Sequence, residues 1–360
     1  MLRASFLVLL CVAGIVRAQD GEGLPLPATK GSTKLADVST DFDPKKDAPL
    51  FFNNGDYASP GGDCFGMSLV AIDNYIQRKK GAAVKQQDKV TLHPAEGDLK
   101  QEETAALVAN DALGKDGGAP ELFKPSNPRP VLDALDQIKK TGLPQPFFMD
   151  AGKGQGDEGH VTVLYGAKDG KLLFYDPQFP GETIEWPFDS KKGLGVHPKH
   201  DDKFFGSYYG HVNGVASVPF DELKASKDIG AIKQACDAGA AACVDKFPKV
   251  TAKIAAAKKD DEVELSGTVS RGEKTVNGEP TAPPTTAWVK IDGKLRQQPI
   301  KLAKDGSYKV SLPRSAFQDT SEVTVVATTQ FGALAGYTTQ KLSLPSTPGM
   351  AKELDKAGAR

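Results

Sequence analysis

Cysteine is scarce in this sequence, and neither sign of charge is in excess. The 360 residues include 4 cysteines, 45 basic residues and 46 acidic residues, which gives a net charge of -1. A chain with so little net charge has no strong field to attract nucleic acid or an anionic membrane surface. We therefore expect neither as a partner. The length is sufficient for two ordinary domains with cores of their own.

Long apolar runs are also missing, apart from one near the N-terminus. Residues 6–16 are apolar, follow a basic residue and end in a small-residue exit at 16–18. The run is too short to span a membrane and is typical of a signal peptide over residues 1–18. The protein is thus predicted to be secreted, to the periplasm or the extracellular medium, with no membrane span. Lipidation at Cys11 is the alternative, although Leu10 is not the small residue that such processing prefers.

Removal of this segment leaves three cysteines in an oxidising compartment, where two should pair. Cys236 and Cys243 are the local pair. An unbroken helix between them would hold their Cα atoms about 10 Å apart, beyond the ~7 Å limit for a disulfide. We therefore expect the helix to turn near residues 237–239. Cys64 is then left as a free thiol, which indicates a functional role; a buried inert thiol is the alternative.

Composition divides the rest of the chain into segments. Residues 19–49 are rich in Pro, Gly, Ser and Thr and predict a flexible leader or a short pro-segment. An α+β domain is expected over 50–220, and an Ala- and Lys-rich helical connector over 221–258. Six or seven short strands over 259–346 predict an immunoglobulin-like β-sandwich. The tail over 347–360 is polar and expected to be loose.

Helical spacing of apolar residues predicts three helices in the α+β domain. The first covers Leu69 to Lys80 and ends at Gly81, a glycine stop preceded by basic residues. The others cover Gln101 to Leu113 and Pro130 to Lys140, the latter with proline in its first turn.

A hairpin follows these helices. The β-type runs 159–165 and 171–175 flank a turn signal at Lys168-Asp169-Gly170. With a loop over 166–170, position 160 pairs with position 176, and both side chains share one face of the sheet. A shift of one residue in the loop would place them on opposite faces.

A glycine-rich turn, residues 61–68, delivers Cys64 to the start of the first helix. The unpaired N–H groups and the positive end of the helix dipole favour a thiolate at this position. Asp63 acts in the opposite direction, so a cationic partner is expected.

These motifs resemble the papain-like cysteine peptidases, and more closely their bacterial C39-like branch, over about residues 53–209. The resembling residues are Gly62-Asp63-Cys64-Phe65, Gly159-His160-Val161 and Tyr175-Asp176-Pro177, in the family's order of Cys, His, and Asn or Asp. The resemblance implies that Cys64 attacks a carbonyl carbon, His160 activates it and protonates the leaving amine, and Asp176 orients the imidazole. It also implies a papain-like fold, a peptide or protein substrate, and no cofactor or metal.

One expected motif is missing. Papain-like enzymes usually have a glutamine six residues before the cysteine that binds the oxyanion, and here that position is Ala58. Asn54 is the nearest upstream amide and is the predicted donor, with Ser59 a weaker choice. The amide N–H of Cys64 would be the second donor.

Other motifs compete for these roles. Gly210-His211-Val212 repeats the Gly-His-Val sequence around His160, but no Asp-Pro follows it on a hairpin partner. His197 and His200 suggest a metal loop, although the intervening proline favours a solvated loop. Residues 152–159 are glycine-rich without a phosphate-binding ending and predict a mobile loop beside a cleft.

The sequence thus predicts a secreted cysteine hydrolase that cleaves peptide or isopeptide amides with Cys64, His160 and Asp176, joined to a sandwich that binds a surface or protein partner. Two alternatives stay open. The same residues could transfer the acyl group to an amine, as transglutaminases do. Otherwise the protein is a non-catalytic adhesion or binding protein with a degenerate papain-like domain.

Overall fold

The computed structural model describes residues 36–57, 59, 61–84, 90–91, 121–151, 159–218, 220–237, 247–272, 274–276, 279–295, 298–330 and 332–345. The predictions outside these residues concern the signal peptide with Cys11, the leader up to residue 35, Ala58, the helix over 101–113, the loop over 152–158, Cys243 and the tail over 347–360. In the described residues the fold is mixed α+β, as expected. They fall into two compact units.

The first unit contains the described residues between 36 and 55, 61 and 91, and 121 and 237. Its strands are β1 (Val38–Ser39), β2 (Gln145–Ala151), β3 (Gly159–Lys168), β4 (Lys171–Tyr175), β5 (Ile184–Asp189), β6 (Gly193–Leu194) and β7 (Val212–Ser217). They form one antiparallel sheet in the order β6-β5-β4-β3-β2-β7, and β1 pairs with β3 off this path.

The helices of the first unit confirm two of the predicted helices. They are α1 (Pro44–Asp47), α2 (Cys64–Lys79), α3 (Arg129–Thr141), α4 (Gly206–Tyr209) and α5 (Glu222–Asp237). The first predicted helix begins earlier than expected, because α2 starts at Cys64 itself. Cys236 lies in α5, and its pairing with Cys243 stays a prediction.

Helices pack on both faces of this sheet. Side chains alternate along a strand, so neighbouring residues of β3 and of β4 face opposite sides. Val163 and Tyr175 pack with Ile72 and other apolar residues of α2. Leu164 and Phe174 pack on the other side with apolar residues of α3. The sheet therefore separates two apolar cores, and α2 delivers Cys64 from one of them.

The predicted leader over 19–49 is wrong for its last part. Residues 36–49 include β1, which pairs with β3, and α1, which leads to the fully buried Asp47. Arg78 of α2 bonds that carboxylate through Nε at 2.6 Å and through a second nitrogen at 2.8 Å. Local composition could not predict this, because the partners of the segment are distant in sequence.

The strands that carry His160 and Asp176 form the predicted hairpin, but with a shorter turn. Instead of a loop over 166–170, β3 continues to Lys168 and the two residues Asp169 and Gly170 connect it to β4. Both turn residues have positive φ, 52° and 77°. These values fit the type I′ turn that Asp-Gly favours in hairpins.

A β-bulge at Tyr165 places His160 and Asp176 on the same face of the sheet. With the shorter turn alone, they would lie on opposite faces. Without the bulge, Asp176 would lie opposite Val163, on the face away from His160. The extra residue moves Tyr175 opposite Val163, so Asp176 falls one residue further along and shares the face of His160. The predicted direct pairing of positions 160 and 176 is wrong by two residues.

The second unit contains Asp56, Tyr57, Ser59 and the described residues between 247 and 345. Its strands are β8 (Lys253–Ala256), β9 (Glu262–Thr268), β10 (Thr275–Val276), β11 (Glu279–Pro280), β12 (Pro284–Ile291), β13 (Lys294–Leu295), β14 (Ile300–Lys301), β15 (Ser307–Pro313), β16 (Thr320–Thr329) and β17 (Leu334–Ser343). One sheet has the order β13-β12-β16-β17 with β14 on β12, another β15-β9-β8, and β10 pairs with β11.

These bounds change the predicted segment limits. The strand region begins with β8, before the expected start at residue 259, and α5 belongs to the first unit. The predicted connector over 221–258 is therefore divided between the two units. Within the described residues, no helix is both long and apolar enough to cross a membrane.

We expect Arg78→Ala to lower the free energy of unfolding by about 3 kcal/mol, because it leaves the buried Asp47 carboxylate without its cation. Urea unfolding of the full chain would measure this loss. Arg129→Ala is the matched control, since Arg129 and Asp133 form an exposed ion pair at 3.6 Å. That variant should lose less than about 1 kcal/mol. Equal losses in the two variants would contradict a structural role for residues 36–47.

Candidate active site

The first turn of α2 brings Cys64 to the edge of the sheet. Cys64 is the first residue of the helix, is 3% exposed and is not part of a disulfide. Its Sγ accepts a hydrogen bond from the backbone N–H of Val161 at 3.4 Å. One turn further, Ser68 Oγ donates to the carbonyl oxygen of Val161 at 3.0 Å. Two side chains of α2 thus bond the N–H and the C=O of one strand residue.

The N–H and C=O of Val161 can bond α2 because β4 is too short to pair with them. That strand ends at Tyr175, whose partner on β3 is Val163, so β4 does not extend as far as Val161. Buried backbone groups without partners are costly, and side chains can replace a missing strand. Positions 64 and 68 are neighbours on one face of a helix. The helix therefore completes the ladder where β4 stops, which fixes Cys64 beside the strand that carries His160.

His160 and Asp176 are in direct contact, as the sequence predicted. His160 Nε2 lies 2.7 Å from Asp176 Oδ1, and the two residues are 3% and 1% exposed. An ionised carboxylate only accepts hydrogen bonds, so Nε2 is the donor and Nδ1 is the ring nitrogen that does not bond Asp176. Because Sγ bonds the amide of the next residue, it lies within about 5 Å of the His160 carbonyl carbon.

Asp176 is held as a carboxylate in spite of its burial. Burial disfavours the charge, but the charge and hydrogen bond of His160 and the bonds from Tyr209 and Gln178 outweigh it and lower the pKa of Asp176. Tyr209 Oη donates to Oδ2 at 2.6 Å, and the Gln178 N–H donates to Oδ1 at 2.8 Å. The Asp176 carboxylate thus accepts hydrogen bonds on both of its oxygens.

Asn53 holds the turn in front of Cys64. Its side-chain Oδ1 accepts a hydrogen bond from the Asp63 N–H at 2.5 Å. Its own backbone N–H donates to the carbonyl of Pro177, the residue after Asp176, at 3.2 Å. Asn53 is 6% exposed. Its two hydrogen bonds connect the cysteine turn to the end of β4. With Oδ1 directed to Asp63, its Nδ2 is a donor beside the turn.

The predicted oxyanion residue, Asn54, is the sequence neighbour of the residue whose side-chain amide bonds the cysteine turn. Its backbone N–H donates to Phe52, and the amide against Gly62 and Asp63 belongs to Asn53. Ser59, the weaker choice, bonds Asp56 through its backbone N–H at 2.6 Å and belongs to the second unit.

Three other histidines lie in the described residues, His197, His200 and His211. His211 is exposed at the start of β7, and His200 is exposed with Nδ1 2.8 Å from the His197 carbonyl. The prediction of a solvated loop is wrong for His197, which is 3% exposed and stacks on Tyr209 with ring centroids 4.2 Å apart. Burial lowers the pKa of His197 to about 4. In the described residues, no group of three or more His, Cys, Asp or Glu is arranged to bind a metal ion.

Sequence reasoning missed three residues of this site: Asn53, Ser68 and Tyr209. Asn53 and Asn54 are adjacent amides, and only the chain path decides which faces the turn. Ser68 has a sequence signal, since it lies one helical turn after Cys64. Tyr209 has none, because its partner Asp176 is 33 residues away in sequence.

Comparison of the sequence with models of known protein families gives no match, and comparison with curated proteins gives no significant match.

Gly62→Ala should disturb the cysteine turn. Gly62 has φ of 131°, and a Cβ there would lie 2.8 Å from Nδ2 and 2.9 Å from Oδ1 of Asn53. We expect a loss of roughly 1–3 kcal/mol in stability and a changed rate of Cys64 alkylation by iodoacetamide, measured by mass spectrometry.

Gly81→Ala is a control that introduces backbone strain without a clash of the kind that Gly62→Ala makes with Asn53. Gly81 also has positive φ, 81°, but a Cβ there meets nothing within 4 Å, and it lies beyond the other end of α2. This variant should be strained without a change in the alkylation rate. If both variants alter that rate equally, the contact between Asn53 and the turn does not control the thiol.

Proposed function

We propose that the first unit is a cysteine hydrolase of papain-like architecture that cleaves peptide or isopeptide amides through Cys64, His160 and Asp176. The proposal is carried by the hydrogen bond between His160 Nε2 and Asp176 Oδ1 at 2.7 Å. Beside it, the Cys64 thiol accepts a hydrogen bond from the N–H of Val161, the residue after His160. A nucleophile, a base and a group that orients the base are the parts of a catalytic triad.

In the proposed reaction, the Cys64 thiolate attacks the carbonyl carbon of the amide while His160 is an imidazolium. The tetrahedral intermediate collapses when His160 donates its Nδ1 proton to the leaving amine, which breaks the C–N bond and leaves a thioester on Cys64. His160 then removes a proton from water, and the resulting attack releases the acid and the free thiol. Asp176 keeps the ring in the orientation that this requires.

The turn before Cys64 supplies the proposed oxyanion site. The N–H of Cys64 lies at the start of α2, and Asn53 Nδ2 lies beside Gly62 in that turn. Amide donors at this place would bind the oxygen of the tetrahedral intermediate. Asn53 thus takes the role that the sequence assigned to Asn54.

The proposal has two further parts, which concern the second unit and the N-terminal run. The antiparallel sheets of the second unit, with β12, β16 and β17 in order, are consistent with an immunoglobulin-like sandwich that binds a protein or surface partner. The apolar N-terminal run supports secretion to the periplasm or medium.

Cys64→Ala should abolish release of amine from a fluorogenic peptide-amide library, because the thioester cannot form. His160→Gln should lower the rate by more than about 100-fold, since general acid–base catalysis contributes 10²–10⁴ in rate. His211→Gln is the matched control: it changes the same residue type in the same Gly-His-Val context at an exposed position, and it should retain full activity.

Unchanged cleavage in the Cys64→Ala variant would contradict the proposal, as would equal losses in the two histidine variants. Products from a lysine-containing peptide mixture decide between hydrolysis and transfer. Hydrolysis gives new carboxylates, whereas acyl transfer joins two peptides and releases ammonia. Mass spectrometry distinguishes these products directly.

Asn53→Ala should lower kcat by about 100-fold or more with little change in KM, as expected when one oxyanion donor is lost. Asn53→Asp keeps an acceptor for the Asp63 N–H but removes the Nδ2 donor, so its kcat should fall as well. Steady-state kinetics on one cleaved peptide amide would measure both variants.

Two comparisons separate this role from support of the turn. Asn54→Ala should retain kcat, because the proposed oxyanion donor is the Asn53 amide beside Gly62. Asn53→Ala should still react with iodoacetamide, since displacement at a methylene carbon forms no oxyanion. Full kcat in the Asn53→Asp variant would show that Asn53 only holds the turn.

A further inference from the structure

We propose that Tyr209 is a positioning residue that fixes the Asp176 carboxylate, and through it the His160 ring, in the reactive orientation. The inference rests on the proposed function for its effect on catalysis, but the contact itself does not. Tyr209 Oη donates to Asp176 Oδ2 at 2.6 Å, and Tyr209 is 1% exposed.

The two oxygens of Asp176 have separate tasks. Oδ1 accepts from His160 Nε2 at 2.7 Å and from the Gln178 N–H at 2.8 Å, whereas Oδ2 accepts from Tyr209. A carboxylate held at one oxygen can still turn about its Cβ–Cγ bond. The bond to Oδ2 opposes that rotation and keeps Oδ1 directed at the imidazole.

Tyr209 is itself held by an aromatic stack. His197 lies parallel to its ring, with centroids 4.2 Å apart and an interplanar angle of 11°. The rings of Trp186 and His197 form a T-shaped pair with centroids 4.5 Å apart, and Trp186 Nε1 donates to the Gly195 carbonyl at 2.9 Å. Phe179 covers Tyr209 at 5.8 Å from another side. The hydroxyl is therefore presented by a ring that packs on His197 and Phe179, with Trp186 behind His197.

The direction of the hydrogen bond follows from the charges. Burial, with the nearby Asp176 carboxylate, raises the pKa of Tyr209 well above its usual value, so the hydroxyl keeps its proton. His197 is neutral at working pH, because burial lowers its pKa to about 4. Tyr209 is thus a donor, and the stack behind it adds no charge to the site.

Removal of the hydroxyl has two consequences. Asp176 loses one of the bonds that favour its charged form, so its pKa should rise toward the ordinary value. A carboxyl whose pKa rises is protonated at higher pH. On acidification, the proposed activity should therefore be lost at a higher pH than in the wild type. The effect of one hydrogen bond to a charged group corresponds to about one pH unit or more.

Tyr209→Phe tests the role, because it keeps the ring and its stack and removes only the hydroxyl. Its kcat should fall while KM changes little, and the acid limb of the kcat profile should move up by about one pH unit. Tyr208→Phe is the matched control: the ring of this adjacent residue in α4 is nearly perpendicular to the His160 ring, with centroids 6.1 Å apart. That variant should leave the acid limb in place.

A second measurement does not depend on activity. The Asp176 carboxyl carbon, assigned with Asp176→Asn, is titrated by ¹³C NMR in the wild-type, Tyr209→Phe and Tyr208→Phe proteins. Besides Tyr209, the ionisable groups that interact electrostatically with Asp176 include His160 of β3, Tyr175 of β4 and His197 of the loop before α4. None of these is altered by either variant.

The outcomes distinguish the two proposals. A midpoint raised by about one unit in Tyr209→Phe alone supports the positioning role, even if no amide is cleaved by the wild type. Midpoints that coincide in all three proteins would overturn it, even if the wild type is an active hydrolase. A loss of kcat without any shift of the midpoint would also overturn it, because this indicates a packing effect only.

Discussion

The site depends on one interrupted ladder of hydrogen bonds. β4 stops at Tyr175, opposite Val163, and the next outward-facing backbone groups on that edge of β3 belong to Val161. Cys64 and Ser68 of α2 bond those groups in place of a strand. The requirement to satisfy buried backbone groups thus fixes the sulfur beside the strand of His160. A longer β4 would leave no place for the thiol there.

The register of the hairpin provides the second condition. Alternation along a strand gives His160 and Asp176 a common face only when the residues between them have the correct parity. The Asp-Gly turn has the wrong parity for this, and the bulge at Tyr165 corrects it. The turn and the bulge therefore act together, and either one alone would place His160 and Asp176 on opposite faces of the sheet.

Burial then determines the electrostatics. A carboxylate that is 1% exposed is stable only if protein donors replace water. His160, Tyr209 and the Gln178 N–H provide these donors from β3, α4 and the turn after β4. The same bonds that keep Asp176 ionised also define its orientation, so charge and geometry at this site have a common origin.

The sequence by itself determined the elements with local causes: helix α2 from its apolar spacing, the Asp-Gly hairpin from its turn residues, and the order of Cys64, His160 and Asp176. It could not determine features whose partners are distant in the chain. Asp47 binds Arg78 from 31 residues away, and Tyr209 binds Asp176 from 33 residues away. The choice between Asn53 and Asn54 is of the same kind. Local propensity contains no information about such contacts, and only packing of the folded chain decided them.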